Sequence, residues 1–431
     1  MLKTRNQAEE IQEWYVIWAK FLTQPPFYTG SNSKEIENII NVLCFALTGG
    51  DSCIQLPQRP TNCDEMLLDA CTEQDAQQVV YKPLIWDEPY LYLQRYWALE
   101  QGIAQRLAKL VTQHIVTIDL AEFAHLFADP HQSQALNIGV NSSFAMITGG
   151  PGTGKTYILT RIVAVLKKFY PELRIAMAAP TGKAAQRMQE SLKKAFSDQN
   201  LLAAGLYHPD FEQQQTLTLH RLLGMGQQQK AKYHQYYPLP YDVVVVDEAS
   251  MLDLSLAHAL LQAIQAPTRL ILLGDAQQLS SVDVGYVLAD LQKVEALKKY
   301  HVQLQASRRF HDDAQIGRFA KYIGQATTPS FSDWLQQIKP DQIQLGQNLQ
   351  QQFLQSKQQD WVGYFALDDA FIQRHITAIY SQLALGFQSY VQALQDYRHA
   401  KISKQQLAER FDDYRILVAI RYGQLGLDAV N

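Results

Sequence analysis

Nowhere in the 431 residues does an apolar run approach the roughly 18 positions a membrane-spanning helix needs, so no membrane span is expected. The opening stretch, MLKTRNQAEEIQEWYVIWAKFL, sets Glu9, Glu10 and Glu13 where a signal peptide would need an apolar core. A cytoplasmic protein with no membrane partner is the expectation. Cysteine is scarce. The four present, Cys44, Cys53, Cys63 and Cys71, fall in one short region with no CxxC pair among them. Their spacing invites a metal or cluster but gives it no anchor, and in a cytosolic domain reduced, unligated thiols are the reading. There is no excess of positive charge: Lys and Arg number 38 against 42 Asp and Glu, for a formal net charge of −4. Any nucleic-acid binding must therefore rest on local basic positions. No internal repeat is evident.

What is present is the composition of a soluble globular protein, 47% hydrophobic and 19% charged, long enough for two or three domains. Residues 1–115 carry helical spacing. Ile11, Trp14, Tyr15, Trp18, Phe21 and Leu22 share a face, a second helix runs through Ile39 to Leu47, and an amphipathic segment spans Tyr90 to Leu110. The stripe of Trp14, Tyr15 and Trp18 reads as core, or, if exposed, as a docking face for another subunit.

From about residue 116 apolar strand-like runs at 144–148, 174–179, 242–246 and 269–273 alternate with helical patterns. Runs as continuous as Val243 to Val246 argue for parallel strands covered on both faces, hence an α/β fold with a parallel sheet. Residues that act in such a sheet belong just past the carboxyl ends of its strands. After residue 300 a short strand-like HVQLQ and a basic pair lead into a glutamine-rich stretch, Gln336 to Gln359, that reads as solvated helix surface or a variable insertion. The apolar run from Tyr414 to Ile420 has the look of another buried strand.

The strongest local signal is Gly149-Gly150-Pro151-Gly152-Thr153-Gly154-Lys155-Thr156, between the strand-like Phe144 to Thr148 and the helical pattern of Tyr157 to Phe169. A loop whose backbone N–H groups all converge on a phosphate chain needs residues without a Cβ, and the helix that follows turns its positive end to the anion. Lys155 then reaches the β- and γ-phosphates, and the Thr156 hydroxyl can ligate Mg²⁺. ATP with Mg²⁺ is the expected cofactor.

Further candidates follow the other strands. Asp247 and Glu248 come directly after the valines, where the first can hold a metal ion and the second can polarise the water attacking a γ-phosphate; a plain helix N-cap has the same look. Gln278, past the strand RLILL, carries an amide able to donate and accept at that phosphate. Thr181, Gly182 and Lys183 open a helix after the strand RIAMA, suiting a phosphate of a polymeric ligand, though an ordinary turn would look alike. The stretch from Thr218 to Gly224, TLHRLLG, adds another basic pair in His220 and Arg221, though a lone histidine there reads as well as a core or surface residue. Arg308 and Arg309, beside Phe310, are either a surface pair or the source of an arginine delivered onto the γ-phosphate.

Taken in order, GGPGTGKT, APTGKAAQRM, TLHRLLG, VVVVDEASM, LLGDAQQLSSVDVG and LQASRRF resemble the superfamily 1 DNA helicases, most closely the RecD branch, the α subunit of exodeoxyribonuclease V. The resemblance implies a RecA-like P-loop motor domain at 116–300, behind a helical N-terminal domain at 1–115 that serves subunit docking, and a partial second motor domain at 301–431. It implies Lys155 and Thr156 on ATP–Mg²⁺, Asp247 on the metal, Glu248 as catalytic base, Gln278 as γ-phosphate sensor and Arg309 as the arginine finger. It puts Gln132 on the adenine, and Thr181 to Lys183 with Thr218 to His220 along the single-strand track. It also implies 5′-to-3′ translocation on single-stranded DNA from double-strand ends, in repair and recombination, with the β and γ subunits of the same nuclease complex as partners. The family's later H-K-[ST]-Q-G and T-[AG]-[IV]-T-R-A stretches are absent, which sets up an alternative: a subunit that binds nucleotide but does not hydrolyse it. Another P-loop machine of the clamp-loader or AAA+ kind is the remaining rival.

Overall fold

The computed structural model describes residues 15–30, 32–70, 82–127, 129–226, 230–275, 278, 281, 283–305, 315–325, 330–342 and 362–431. The chain divides into two compact units, one spanning Trp14–Arg309 and the other containing Phe310–Asn431.

The larger unit is built on a six-stranded sheet of β5 (Phe144–Gly149), β6 (Ile175–Ala179), β7 (Thr216–Thr218), β8 (Val243–Val246), β9 (Arg269–Gly274) and β10 (His301–Leu304). In space they run β10-β5-β9-β8-β6-β7, and every neighbouring pair is parallel. All six carboxyl ends therefore share one edge. Side chains alternate across a strand, so Val243 and Val245 join one core while Val244 and Val246 join the other. Both faces are dry, which is why these strands are apolar at every position.

One face is covered by helices Pro130–Asn141, Lys155–Phe169 and Gly182–Phe196, the other by Gln94–Val111, Leu254–Ala263 and Val287–Lys293. Helix Lys155–Phe169 is buried from Ile158 to Lys167. Its two enclosed cations are matched, Arg161 with Asp198 at 2.6 Å and Lys167 with Asp210 at 2.5 Å.

Three sequence expectations need correction. The first concerns residues 1–115. Residues 15–22 and Ser33–Thr48 are helical, but β1 (Cys53–Gln55), β2 (Leu67–Asp69), β3 (Leu84–Asp87) and β4 (Tyr90–Leu93) form a second sheet in the order β1-β4-β3-β2. Strands of three and four residues are too short to show a period, and their pairing is non-local. Cys44 and Cys63 sit in the core beside this sheet, with Leu43, Met66 and Trp86, and burial pushes the Cys44 thiol up to about 11. Tyr15 and Trp18 pack against the same core; Trp14 lies outside the described residues. The amphipathic Tyr90 to Leu110 segment splits into β4 and a helix whose Ile103, Leu107 and Leu110 face the six-stranded sheet.

The second correction is β10. The HVQLQ run, expected to open a new region, completes the first sheet: His301 to Leu304 pair with Met146 to Gly149, and Thr148 Oγ1 meets His301 Nε2 at 2.8 Å. The third is Tyr414 to Ile420, which forms no strand. A strand needs a neighbour to satisfy its backbone, and among the described residues these have none; Leu417 is 92% exposed.

In the smaller unit, helices Gln315–Gln325 and Phe331–Ile338 bring Phe319, Phe331, Trp334 and Tyr364 together as an aromatic cluster. Helices Asp369–Leu385, Gln388–Arg398 and Lys404–Asp412 follow, the last opened by a Ser403–Gln406 capping box. Most of the glutamine-rich stretch, 343–359, lies outside the described residues.

Candidate nucleotide and nucleic-acid site

The loop from Gly150 to Gly154 leaves β5 and delivers the chain to the helix starting at Lys155. Gly154, the residue before that helix, has φ +92°, a conformation L side chains rarely adopt. Gly149 is required for a different reason. A Cβ there would stand 2.9 Å from the Leu304 carbonyl oxygen and 2.6 Å from Thr153 Oγ1, so β10 and the loop leave it no room. Thr153, buried, returns its hydroxyl to the Gly150 carbonyl at 2.9 Å. The Lys155 ammonium reaches back over the loop, donating to the Gly149 and Gly150 carbonyls at 2.5 and 3.2 Å.

Around this loop lies a cleft of about 990 Å³ whose lining includes Gly150 to Thr156, Asp247, Glu248 and Gln278. Three residues from two other motifs thus meet Lys155 at one sheet edge. Asp247 directly follows β8 and accepts the Glu248 backbone N–H at 2.9 Å. Burial, reinforced by the Glu248 charge, pushes its carboxyl up to about 6, against the opposing pull of that N–H and of Lys155. Glu248 is held at φ +53°, ψ +39°. A non-glycine residue in that region stores on the order of 1 kcal/mol of strain. The helix after it is capped by Asp253, through Leu256 N–H at 2.7 Å, so the carboxylates at 247–248 are not its cap.

Three further residues enter the site. Asp275, buried at the end of β9, accepts the Gln278 amide Nε2 at 3.0 Å and its own carbonyl accepts the Gln278 N–H, fixing that side chain from both ends. Its place directly after the glycine closing an apolar strand was the available signal. Gln132 is buried in the first turn of helix Pro130–Asn141, pinned by the Asp129 cap, and a Cβ on Gly154 would lie 3.4 Å from its Nε2. Arg161, in an otherwise apolar helix, lays its guanidinium 3.2 Å from the Tyr157 ring centroid and lines the same cleft. Nothing in its sequence neighbourhood announced that.

The remaining candidates follow β6 and β7, whose ends are adjacent: Ala179 pairs with Thr218. Thr181 and Thr218 both act as helix N-caps, accepting Ala184 N–H at 3.2 Å and Arg221 N–H at 3.3 Å. Gly182 has open space where a Cβ would stand, and Lys183 and His220 are exposed. Two helix N-termini thus lie side by side; these five residues do not line the nucleotide cleft, although Ala184 and Arg187 of the helix that Thr181 caps do. Arg308 and Arg309 lie outside the described residues.

Residues 132–283, a range that includes Gln132 and Gln278, match a family model described as an AAA domain. Over 318 residues the chain is 34% identical to the RecBCD enzyme subunit RecD of Mycolicibacterium smegmatis, covering 67% of this chain and 54% of that one. These likenesses support a RecD-like superfamily 1 helicase reading of the chain. Against the RecD of Haemophilus influenzae this RecD-like chain is 28% identical over 416 residues, 84% of its own length and 61% of the relative's. The ATP-dependent RecD2 DNA helicase of Deinococcus radiodurans is 35% identical over 178 residues, 41% of this chain and 22% of that protein. The chain spans just over half the length of the two RecD relatives, 54% and 61%. Among the described residues no helix is long and apolar enough to cross a membrane.

Proposed function

We propose that this chain forms the ATP-hydrolysing part of a cytoplasmic 5′-to-3′ DNA helicase subunit. It would work on single strands entering from double-strand ends, with the β and γ subunits of an exodeoxyribonuclease V in repair and recombination. The observation that carries the reading is the convergence of Lys155, Asp247, Glu248 and Gln278 on one cleft at the carboxyl edge of the sheet.

Lys155 exchanges the loop carbonyls for the β- and γ-phosphate oxygens, and the loop N–H groups wrap the rest of the chain. The Thr156 hydroxyl and the Asp247 carboxylate would hold Mg²⁺. Their hard oxygens suit that ion, and a carboxyl pushed up by burial is one that a cation would return to its ionised form. When bound, Mg²⁺ neutralises charge on the phosphate oxygens. Glu248 takes the proton from the attacking water, and Gln278, steadied by Asp275, orients that water and senses the γ-phosphate. Gln132 reads the adenine, and Arg309 delivers a guanidinium to the transferring phosphoryl group. Thr181 to Lys183 and Thr218 to His220 carry the DNA backbone at the neighbouring strand ends.

The test is ATP hydrolysis by the chain alone, with and without single-stranded DNA, beside Lys155→Ala. Single-strand-stimulated hydrolysis that the alanine variant loses is the expected result. Hydrolysis as fast in Lys155→Ala as in the parent sinks the assignment. Nucleotide binding with no hydrolysis, with or without DNA, points instead to the assembly-subunit alternative.

A further inference from the structure

Past Gln278 the chain meets the helix Ser33–Thr48, far away in sequence, through residues the site described above does not use. Gly285 donates its N–H to the Gly50 carbonyl at 2.9 Å, and the Tyr286 hydroxyl donates to the Gly49 carbonyl. Gly49 is the C-cap of that helix, whose Ile36, Ile40 and Leu43 sit in the core beside the β1 to β4 sheet. The contact is close on both sides. A Cβ on Gly50, at φ +94°, would stand 2.8 Å from the Tyr286 Oη. One on Gly285, at φ +115°, would stand 2.5 Å from Leu254 Cγ and 3.1 Å from the Leu254 nitrogen.

Other bonds tie this contact to the nucleotide side. The Ser281 hydroxyl is shared between the Asp283 and Gly285 carbonyls, at 2.7 and 2.8 Å. Leu254, which opens the helix after Glu248, donates its N–H to the Val284 carbonyl at 3.0 Å. Ser281, Asp283, Val284 and Tyr286 are not buried, so hydrogen bonds rather than packing set where this segment lies. A segment held in that way shifts locally when one of its bonds is removed. Gln278 precedes it and is itself held only from the β9 side, by Asp275. Its amide has to meet a phosphate oxygen and a water, a task that tolerates little displacement.

We propose that Tyr286 is a positioning residue for ATP hydrolysis: by tying the chain after Gln278 to the Gly49–Gly50 turn, it keeps the Gln278 amide in place over the phosphate loop. This rests on the role of Gln278 proposed above and adds an anchor that lies outside the six-stranded sheet. Such an anchor acts on the rate of hydrolysis and not on the binding of nucleotide.

The test is single-turnover ATP hydrolysis by the full chain with single-stranded DNA, beside equilibrium binding of a non-hydrolysable ATP analogue. Tyr286→Phe, which loses only the hydroxyl bond, lowers the rate about fivefold, as one hydrogen bond is worth, and leaves analogue affinity within about twofold. Tyr286→Ala lowers the rate further. In a Gln278→Ala background Tyr286→Phe has no additional effect, because the group it positions is gone. An equal loss in both backgrounds makes Tyr286 a general support and overturns the proposal, as does a parental rate in Tyr286→Phe; the Gln278 reading survives either result. A parent that does not hydrolyse ATP, or one whose rate Gln278→Ala leaves unchanged, overturns both.

Discussion

The carboxyl edge of the six-stranded sheet carries two candidate sites of opposite character. At the ends of β5, β8 and β9 the candidate residues are enclosed: Gln132, Thr153 and Asp275 are buried, Asp247 is desolvated enough to hold its proton to about pH 6, and Glu248 is kept in a left-handed conformation. At the ends of β6 and β7 the same edge is open. Its threonines are engaged as ordinary helix caps, and Lys183 and His220 stand in water. The contrast is what the two proposed ligands would demand. A nucleotide is small and must react away from bulk water, where each charge counts for more. A polymer has to enter and leave along its length, so its contacts are repeated, exposed and individually weak.

Substitutions can break that comparison. The largest effect belongs to Glu248→Gln. Hydrolysis should fall about 10²- to 10⁴-fold, the range for a positioned general base, while nucleotide affinity stays within a few-fold; single-turnover hydrolysis beside equilibrium nucleotide binding reads both. A loss of affinity as large as the loss of rate would mean that the residue builds the pocket instead.

Asp247→Asn comes next, read as stability in a chelator. The native carboxyl is raised to about 6 from its ordinary 3.8, so the folded state binds this proton more tightly than the unfolded chain does. Stability contributed by protonation is present at about pH 4 and lost as the pH climbs through 6. The asparagine variant should therefore be more stable than the parent at pH 8 and indistinguishable from it near pH 4. The gain at pH 8 should be about 1–3 kcal/mol, because a tenfold difference in proton affinity is worth about 1.36 kcal/mol. Denaturant titrations at the two pH values decide it; no gain at pH 8 would show that the site is wetter than its geometry implies.

The smallest effects fall on the open side. Thr181→Ala and Thr218→Ala should each cost about 1 kcal/mol of stability as lost N-caps, measurable by denaturant unfolding. Lys183→Ala should lower the salt slope of DNA binding by about 0.7 and leave ATP affinity untouched. If Lys183→Ala weakens ATP as much as DNA, the two ends of the edge are not separate sites.

Much of the nucleotide side was legible because its motifs are local. A glycine-rich loop needs only its own residues and the strand and helix beside it, so the place of Lys155 and Thr156 followed from the run of residues 144–169. The valines before Asp247 were as plain, since a strand buried on both faces admits no polar interruption. The open side was less clear, because Thr181 and Thr218 look the same whether they cap a helix or flank a ligand.

Other features were not readable along the chain, for reasons that differ. The small sheet of β1 to β4 is assembled from strands too short to carry a period. Helix Gln94–Val111 shows an apolar face, but amphipathicity does not say which layer that face will meet, and here it is the six-stranded sheet. The apolar run at 414–420 promised a strand that its surroundings do not support.

Residue order was thus sufficient for whatever chemistry and geometry are satisfied within one strand, loop and helix: the phosphate loop, the dry parallel strands and the carboxylates that end one of them. Contacts between distant segments arose only on folding. Gln132 came to lie over Gly154, Asp275 to hold Gln278 beside the loop, and β10 to press on Gly149 from the sheet's edge. The physical reason is that hydrogen-bonding and dihedral preferences act over a few residues, whereas desolvation and close packing depend on which surfaces meet, and that choice belongs to the folded chain as a whole.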